Sequence, residues 1–353
     1  MKTPQLTKIK VLIVEDSKVA AQFLSDLLTS DPRIEVVGVA RDGVEGMEAA
    51  RRCQPDVITM DINMPRANGY EATRQIMETC PTPIVIVSAS TGEAAMDFQA
   101  MEAGALAVVA LPEGRGHAGH ASSVKELLNT VKLMSEVKVV RRWARSGVSK
   151  RQPAPEPRPI PAPTDPICAV VIGASTGGPL ALKTLLQELP ANFGASLFIV
   201  QHMTPGFTHG FAEWLADSAN FPLKVAVHGG VIQPGVAYVA PDGLHMGFAS
   251  AKQIALSSAP PEHRMRPSVS HLFRSAHATF GSKVAAVLLT GMGQDGAQEL
   301  KALKEAGAVT LAQDEESSVV HGMPGHAIFL GAASYILSPD EISRMLAHLC
   351  IKK

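Results

Sequence analysis

A chain of 353 residues, 46% of them hydrophobic, is long enough to bury two cores at about 100–200 residues per domain. Its 32 basic and 33 acidic residues leave a formal net charge of −1, which argues against the clustered basic face of a broad nucleic-acid footprint. The four cysteines, Cys53, Cys80, Cys168 and Cys350, have neither short metal-ligand spacing nor the density of a disulfide framework, so reduced structural thiols are expected. The first apolar segment stops at Glu15 and Asp16, too short for a signal-peptide core, and no later run reaches spanning length. A cytoplasmic chain without membrane insertion is the expectation.

In chain order, short apolar runs at 9–14, 35–40, 57–60, 84–87 and 107–110 read as buried strands by their length and β-branched content. Helical stretches at 18–29, 43–52 and 94–103 alternate with them, and a longer one runs from 122 to about 142. Five β-α units of this kind predict a parallel sheet covered by helices on both faces.

Function in a doubly wound sheet gathers beyond the carboxyl ends of its strands. The residues just past the strand ends are Glu15 and Asp16, then Asp61, then Ser88. Three carboxylates and a hydroxyl form a hard-oxygen site suited to Mg²⁺ and phosphoryl chemistry, with Asp61 able to act as nucleophile. Each carboxylate alone reads better as a helix cap or turn residue; the ordered set points to function. The segments IVEDS, MDINMP and IVIVSAS resemble the response-regulator receiver family over about residues 8–135. The resemblance implies a flavodoxin-like (βα)5 fold, phosphorylation of Asp61, Ser88 as the switching hydroxyl, and Mg²⁺ held by Glu15, Asp16, Asp61 and Asn63. Two positions depart from the pattern. Leu111 stands where receivers carry a lysine that pairs with the phosphoryl group, and Val108 replaces the usual aromatic switch residue.

Residues 151–166 read RQPAPEPRPIPAPTDP, with seven prolines that deny the backbone its amide donors and helical dihedrals. An exposed linker over 141–166 is expected, dividing a first domain (1–140) from a second (167–353). The basic run Arg141, Arg142, Arg145, Lys150 and Arg151 falls within it and reads as solvated charge.

The second half repeats the α/β logic less regularly, with strands expected at 169–172, 197–201, 224–227, 237–240, 285–290 and 309–312. Helices are expected to start near Pro179, Thr208, Ser268 and Gly296. This predicts a second doubly wound, mostly parallel α/β domain. Its first strand runs into Gly173-Ala174-Ser175-Thr176-Gly177, a G-x-S-x-G turn followed by a helix, the context of a nucleophile elbow. The rival readings are a phosphate loop, although the Walker lysine is missing, and a structural turn with an idle serine. A serine nucleophile needs a base, and the base needs an orienting carboxylate. His202 ends an apolar run and so sits at a strand's carboxyl end; His209, His245, His271, His277 and His321 are expected to be solvated. Asp295, set among three glycines in TGMGQDG, is the preferred carboxylate over Asp242 and Asp314, which read as turn residues.

GASTGGP, QHM, YVAPDG, RPSV followed by LF, LLTGMGQDGA and AQDEESSVVHGMP resemble the chemotaxis protein-glutamate methylesterase (CheB) family over about residues 167–347. The resemblance implies a Ser175–His202–Asp295 triad and oxyanion contacts from the Met292 and Thr176 amides. It also implies hydrolysis of glutamyl γ-methyl esters on methyl-accepting chemotaxis receptors, deamidation of receptor glutamines, and no cofactor for hydrolysis. A chemotaxis histidine kinase is the implied phosphodonor. Ser270 replaces a usual aspartate and Glu299 a common glycine; neither is expected to touch the triad, and both are expected to bear on substrate contacts. The competing readings are a non-catalytic adaptor gated by the receiver and a transcriptional regulator, the latter lacking a basic recognition helix.

Overall fold

The computed structural model describes residues 8–88, 94–114, 116–117, 119–137, 139 and 167–350. The chain divides into two compact units, Met1–Val148 and Ser149–Lys353. The expected linker and its basic run lie outside the described residues; the helix expected from 122 to about 142 instead starts at His120 and ends at Ser135, with Glu136 as its C-cap.

In the first unit β1 (Ile9–Val14), β2 (Ile34–Ala40), β3 (Val57–Met60), β4 (Ile84–Ser88) and β5 (Ala107–Ala110) form one parallel sheet in the order β2-β1-β3-β4-β5. The helices α1 (Lys18–Thr29), α2 (Gly43–Cys53), α3 (Gly69–Thr79), α4 (Ala94–Ala103) and α5 (His120–Ser135) connect and follow these strands. Side-chain caps start three of them: Ser17 accepts the Ala20 amide, Asp42 the Val44 and Glu45 amides, and Asn68 the Glu71 amide. Leu12, Val14, Ile58, Met60, Ile84 and Ile86 meet Ala72 and Ile76 in the core. The order reverses between β1 and β3, so Glu15 and Asp61 emerge side by side.

The second unit is built on a seven-stranded sheet ordered β14-β13-β12-β6-β7-β9-β8, with parallel pairing throughout. Its strands are β6 (Ala169–Ala174), β7 (Ser196–Gln201), β8 (Leu223–Val225), β9 (Ala237–Val239), β12 (Val284–Leu288), β13 (Val309–Gln313) and β14 (Tyr335–Leu337). An antiparallel hairpin of β10 (His245–Ser250) and β11 (Gln253–Ser257) stands apart from the sheet. The helices are α6 (Gly178–Gln187), α7 (Thr208–Ala219), α8 (Val269–Phe280), α9 (Ala297–Glu305), α10 (Met323–Phe329) and α11 (Pro339–Cys350). The central strands β6, β7 and β12 are buried along their whole lengths, which is why they read as continuous apolar runs.

The chain winds outward from β6 through β7 to β8, then returns to lay β12 on the other side of β6. That switch point places the residues after β6, β7 and β12 on one rim. The start of α8 reaches this rim because two neighbouring positions carry no Cβ. A methyl group on Gly173 would lie 2.7 Å from Val269 Cγ2, and one on Gly296, whose φ is +83°, would lie 2.5 Å from Val269 Cγ1. Val269 is therefore seated between the end of β6 and the start of α9. Gly173→Ala overpacks this seat and is expected to destabilise the second unit by about 1–3 kcal/mol in urea unfolding, with part of the loss recovered by adding Val269→Ala.

Candidate active site

Ser175, His202 and Asp295 come from three separate loops of the second unit. Ala174 and Gln201 are register partners at the ends of β6 and β7, so Ser175 and His202 leave adjacent strands at the same level. The His202 amide donates to the Ala174 carbonyl at 2.9 Å, and the Gln201 side-chain amide donates to the carbonyls of both Ser175 (2.8 Å) and His202 (2.9 Å). From the other side, the Ser175 amide donates to the Thr290 carbonyl at 3.0 Å. Ser175, itself half-buried, is thus tied to both neighbouring strand ends through its backbone, and its hydroxyl takes no part in those bonds.

Gly291 shows how close the packing is. A Cβ there would lie 2.6 Å from Ser175 Cβ. The Thr290 hydroxyl donates to the Thr176 carbonyl (2.9 Å) and accepts the Val320 amide (2.9 Å), stapling the nucleophile turn to the segment before α10. Among the described residues, neither the Thr176 nor the Met292 amide has a protein acceptor.

His202 Nε2 lies 3.0 Å from Asp295 Oδ2. Asp295 is only 3% exposed, and an unpaired buried carboxylate is costly, so its other contacts decide its charge. Oδ1 accepts the Ser268 hydroxyl (2.9 Å) and the Ser270 amide (3.0 Å), and Oδ2 accepts the Val269 amide (2.8 Å). Ser268 is the N-cap of α8, so these donors are the free amides and cap of a helix N-terminus, where negative charge is favoured. Burial alone would raise the Asp295 carboxyl, but the hydrogen bond and charge of His202, then hydrogen bonds from Ser270, hold it well below the ordinary carboxylate range. An ionised Asp295 keeps a proton on Nε2 of His202 and leaves Nδ1 as the basic nitrogen. The imidazole is thereby turned end for end relative to the familiar triad, in which Nδ1 faces the carboxylate.

Several sequence expectations change here. Ser270 does touch the triad, through its amide on Asp295. His245, expected in solvent, is fully buried: its Nδ1 accepts the Ser268 amide (3.2 Å) and its Nε2 faces the Pro260 carbonyl (3.1 Å). Its ring stacks on the half-buried His271 at 4.6 Å between centroids. Ligand atoms of His245, Glu262 and His271 lie within 4.8 Å of one another. Yet both His245 nitrogens are engaged, and Arg274 donates to both Glu262 oxygens (2.5 and 2.6 Å), so the cluster braces the α8 cap instead of offering lone pairs to a metal. Asp242 and Asp314 are turn residues, as expected: Asp242 accepts from the Gly206 amide and the Thr208 hydroxyl, Asp314 from Ser317.

In the first unit the oxygens of Glu15, Asp16 and Asp61 also lie within 4.8 Å of one another. Burial, then the charge of Asp61, push Glu15 up to about 7 against an opposing hydrogen bond from the Ser17 amide, with the charge of Asp16 a lesser upward contribution. Asp61 is raised as well, chiefly by burial, although the Ile62 and Asn63 amides favour its charged form. Mutually repelling carboxylates of this kind, graded from the buried Glu15 through Asp61 to the exposed Asp16, suit a hard divalent cation. Ser88 closes β4, next to β3, and its carbonyl accepts the Leu111 amide at 2.7 Å. Val108 packs against the core at the position where receivers usually carry an aromatic side chain. The four cysteines are free thiols, and burial, followed by the charge of Cys168, pushes Cys350 up to about 12. Among the described residues no helix is long and apolar enough to cross a membrane.

Comparison with known proteins agrees with this division. Residues 170–346 match the CheB methylesterase family, and residues 11–117 the response regulator receiver domain family. A protein-glutamate methylesterase/protein-glutamine glutaminase of Syntrophus aciditrophicus is 52% identical over 97% of this chain and 98% of its own length. A protein of the same description from Nitrosospira multiformis is 50% identical over 98% of both chains. The crystal structure of the Thermotoga maritima CheB methylesterase catalytic domain covers 52% of this chain and 98% of its own, at 38% identity and a TM-score of 0.50.

The depressed Asp295 carboxyl has a consequence for stability. Its contribution is fully present above the unfolded aspartate value, about 3.9, and is lost as pH falls through the lower folded value. Asp295→Asn should therefore destabilise the second unit at neutral pH, and the gap from wild type should narrow as urea unfolding is repeated down to about pH 3.

Proposed function

The chain belongs to the CheB methylesterase family, with a receiver domain ahead of the catalytic one, and on that footing we propose that it is a phosphorylation-regulated methylesterase. Its substrates are glutamyl γ-methyl esters of methyl-accepting chemotaxis receptors, which it hydrolyses to glutamate and methanol. The observation that carries this reading is the His202–Asp295 hydrogen bond of 3.0 Å, held on the rim from which Ser175 emerges.

His202 Nδ1 accepts the Ser175 proton as the hydroxyl attacks the ester carbonyl, while the ionised Asp295 fixes the tautomer and stabilises the imidazolium. The Ser175 amide is consumed by the Thr290 carbonyl and is not an oxyanion donor. That role falls to the Thr176 and Met292 amides, each worth about 3–4 kcal/mol by analogy with a serine protease donor. His202 then returns its proton to the departing methanol, and water attacks the acyl-enzyme by the same route in reverse. A glutamine side chain would pass through the same acyl-enzyme with ammonia leaving, so receptor deamidation follows from the same machinery. Hydrolysis needs no cofactor on this account.

Asp61 is the proposed phosphoacceptor, with a chemotaxis histidine kinase as donor and Ser88 as the switching hydroxyl. Glu15, Asp16 and Asp61, with Asn63, would hold Mg²⁺, whose charge offsets that of the transferring phosphoryl group. Leu111 supplies no cation in place of the usual lysine, which leaves the metal as the principal counter-charge. The fused architecture supports steric regulation, in which the unmodified receiver covers the triad and phosphorylation loosens it. Such a protein works in the cytoplasm, where its kinase and the receptor signalling domains lie.

Two experiments test this. Methanol release from methyl-esterified receptor membranes should fall by at least about 10⁴-fold in Ser175→Ala. A rate equal to wild type would leave only an adaptor role. Acetyl phosphate with Mg²⁺ should label the wild-type chain and not Asp61→Asn, and residues 167–353 alone should release methanol faster than the unphosphorylated full chain. Equal rates for fragment and whole would remove steric regulation.

A further inference from the structure

One carboxylate beside the triad is unused by the mechanism. Glu299, in the first turn of α9, has a side chain 17% exposed, and its Oε2 accepts the Ser270 hydroxyl at 2.7 Å. Its Oε1 accepts from Arg274 at 3.0 Å. Ser270 is fully buried and grips the catalytic loop twice: its amide donates to Asp295 Oδ1 (3.0 Å), and its hydroxyl oxygen accepts the Gly296 amide (2.9 Å). A hydroxyl has a single proton. For the oxygen to keep its lone pairs toward Gly296, the proton must go to an acceptor elsewhere, and the Glu299 carboxylate is that acceptor.

We propose that Glu299 is a positioning residue of the hydrolytic centre, acting through the Ser270 hydroxyl to hold the Asp295–Gly296 peptide and hence the His202 ring. The inference rests on the triad reading of Ser175, His202 and Asp295. Positions 270 and 299 are in contact and form one feature. Arg274, bonded to Glu262 as well, anchors Glu299 from the solvent side. Loss of Glu299 frees the Ser270 proton to turn toward Asp295, and a misplacement of the orienting carboxylate by a fraction of an ångström is felt by the proton transfer it directs.

The test measures methanol release by the full-length protein from methyl-esterified receptor membranes between about pH 5.5 and 9. Glu299→Ala should lower kcat by roughly 10- to 100-fold with KM unchanged, and shift the acid limb of the kcat profile. Glu299→Gln, which retains an acceptor oxygen, should keep most of the activity. The exchange Ser270→Asp with Glu299→Gly should recover much of what Glu299→Gly alone loses. A Glu299→Ala enzyme within about two-fold of wild type would overturn the proposal. So would a loss that merely tracks a lower melting temperature with an unmoved pH limb, or an exchange variant no better than the single one. Ser175→Ala run alongside separates the two levels: if it stays active the triad reading has failed, and if it is inactive the Glu299 result stands alone.

Discussion

The second unit is organised around one buried negative charge. A carboxylate as enclosed as Asp295 is tolerated only if hydrogen-bond donors replace the water it has lost. Four do so: a cap hydroxyl, two amides of the first turn of α8, and the His202 ring. Three of the four lie on one helix N-terminus, so the placement of α8 is as much a part of the site as the triad. That placement in turn requires glycine at 173 and 296, since either Cβ would collide with Val269. His245, buried behind the cap, accepts the Ser268 amide and so holds the residue whose hydroxyl reaches Asp295.

The first unit treats its clustered carboxylates in the opposite way. Glu15, Asp16 and Asp61 converge with few donors facing them, and Glu15 rises to about 7 where Asp295 falls. Desolvation pushes both upward; the difference lies in what opposes it. Asp295 has a helix end and an imidazole, whereas Glu15 has a single amide from Ser17 and two like charges. A set left electrostatically unsatisfied is one prepared for a cation, and a set already satisfied is one prepared to orient a base.

Much of this is legible in the residues. Ser175, His202, Asp295, Glu15, Asp16 and Asp61 all come after apolar runs, and a parallel sheet gathers the residues beyond its strand ends along one edge. The strands β1, β3 and β5 and the helices α1 and α4 have the bounds their patterns predict. The features that escape a sequence reading depend on contacts distant along the chain. The β10–β11 hairpin, β14 and α10 are short or irregularly patterned, and the hairpin lies outside the parallel sheet that the βα alternation announces. Ser268 reads locally as a helix cap; nothing near it shows that its hydroxyl reaches a carboxylate 27 residues away. His245 reads as a solvated loop residue, and its burial comes from the packing of the hairpin on α8. Which ring nitrogen of His202 faces Asp295 is likewise a fact of orientation, absent from any one-dimensional pattern.

The order of the triad along the chain follows from the winding. With Ser175, the proposed nucleophile, at the end of β6, a base must come from an adjacent strand, and β7 is the next one the chain builds. The other neighbour, β12, is laid down only after the chain has completed the β7–β9–β8 side and returned. The orienting acid must therefore come after the histidine, by 93 residues here, and Ser-His-Asp results. Where an α/β-hydrolase places its acid before the histidine, its connections visit the rim in another sequence. Chemistry constrains which side chains meet at the rim; the crossover connections constrain when each is reached. The same return path puts α8 immediately before β12, which is how one helix N-terminus comes to lie against the carboxylate that β12 delivers.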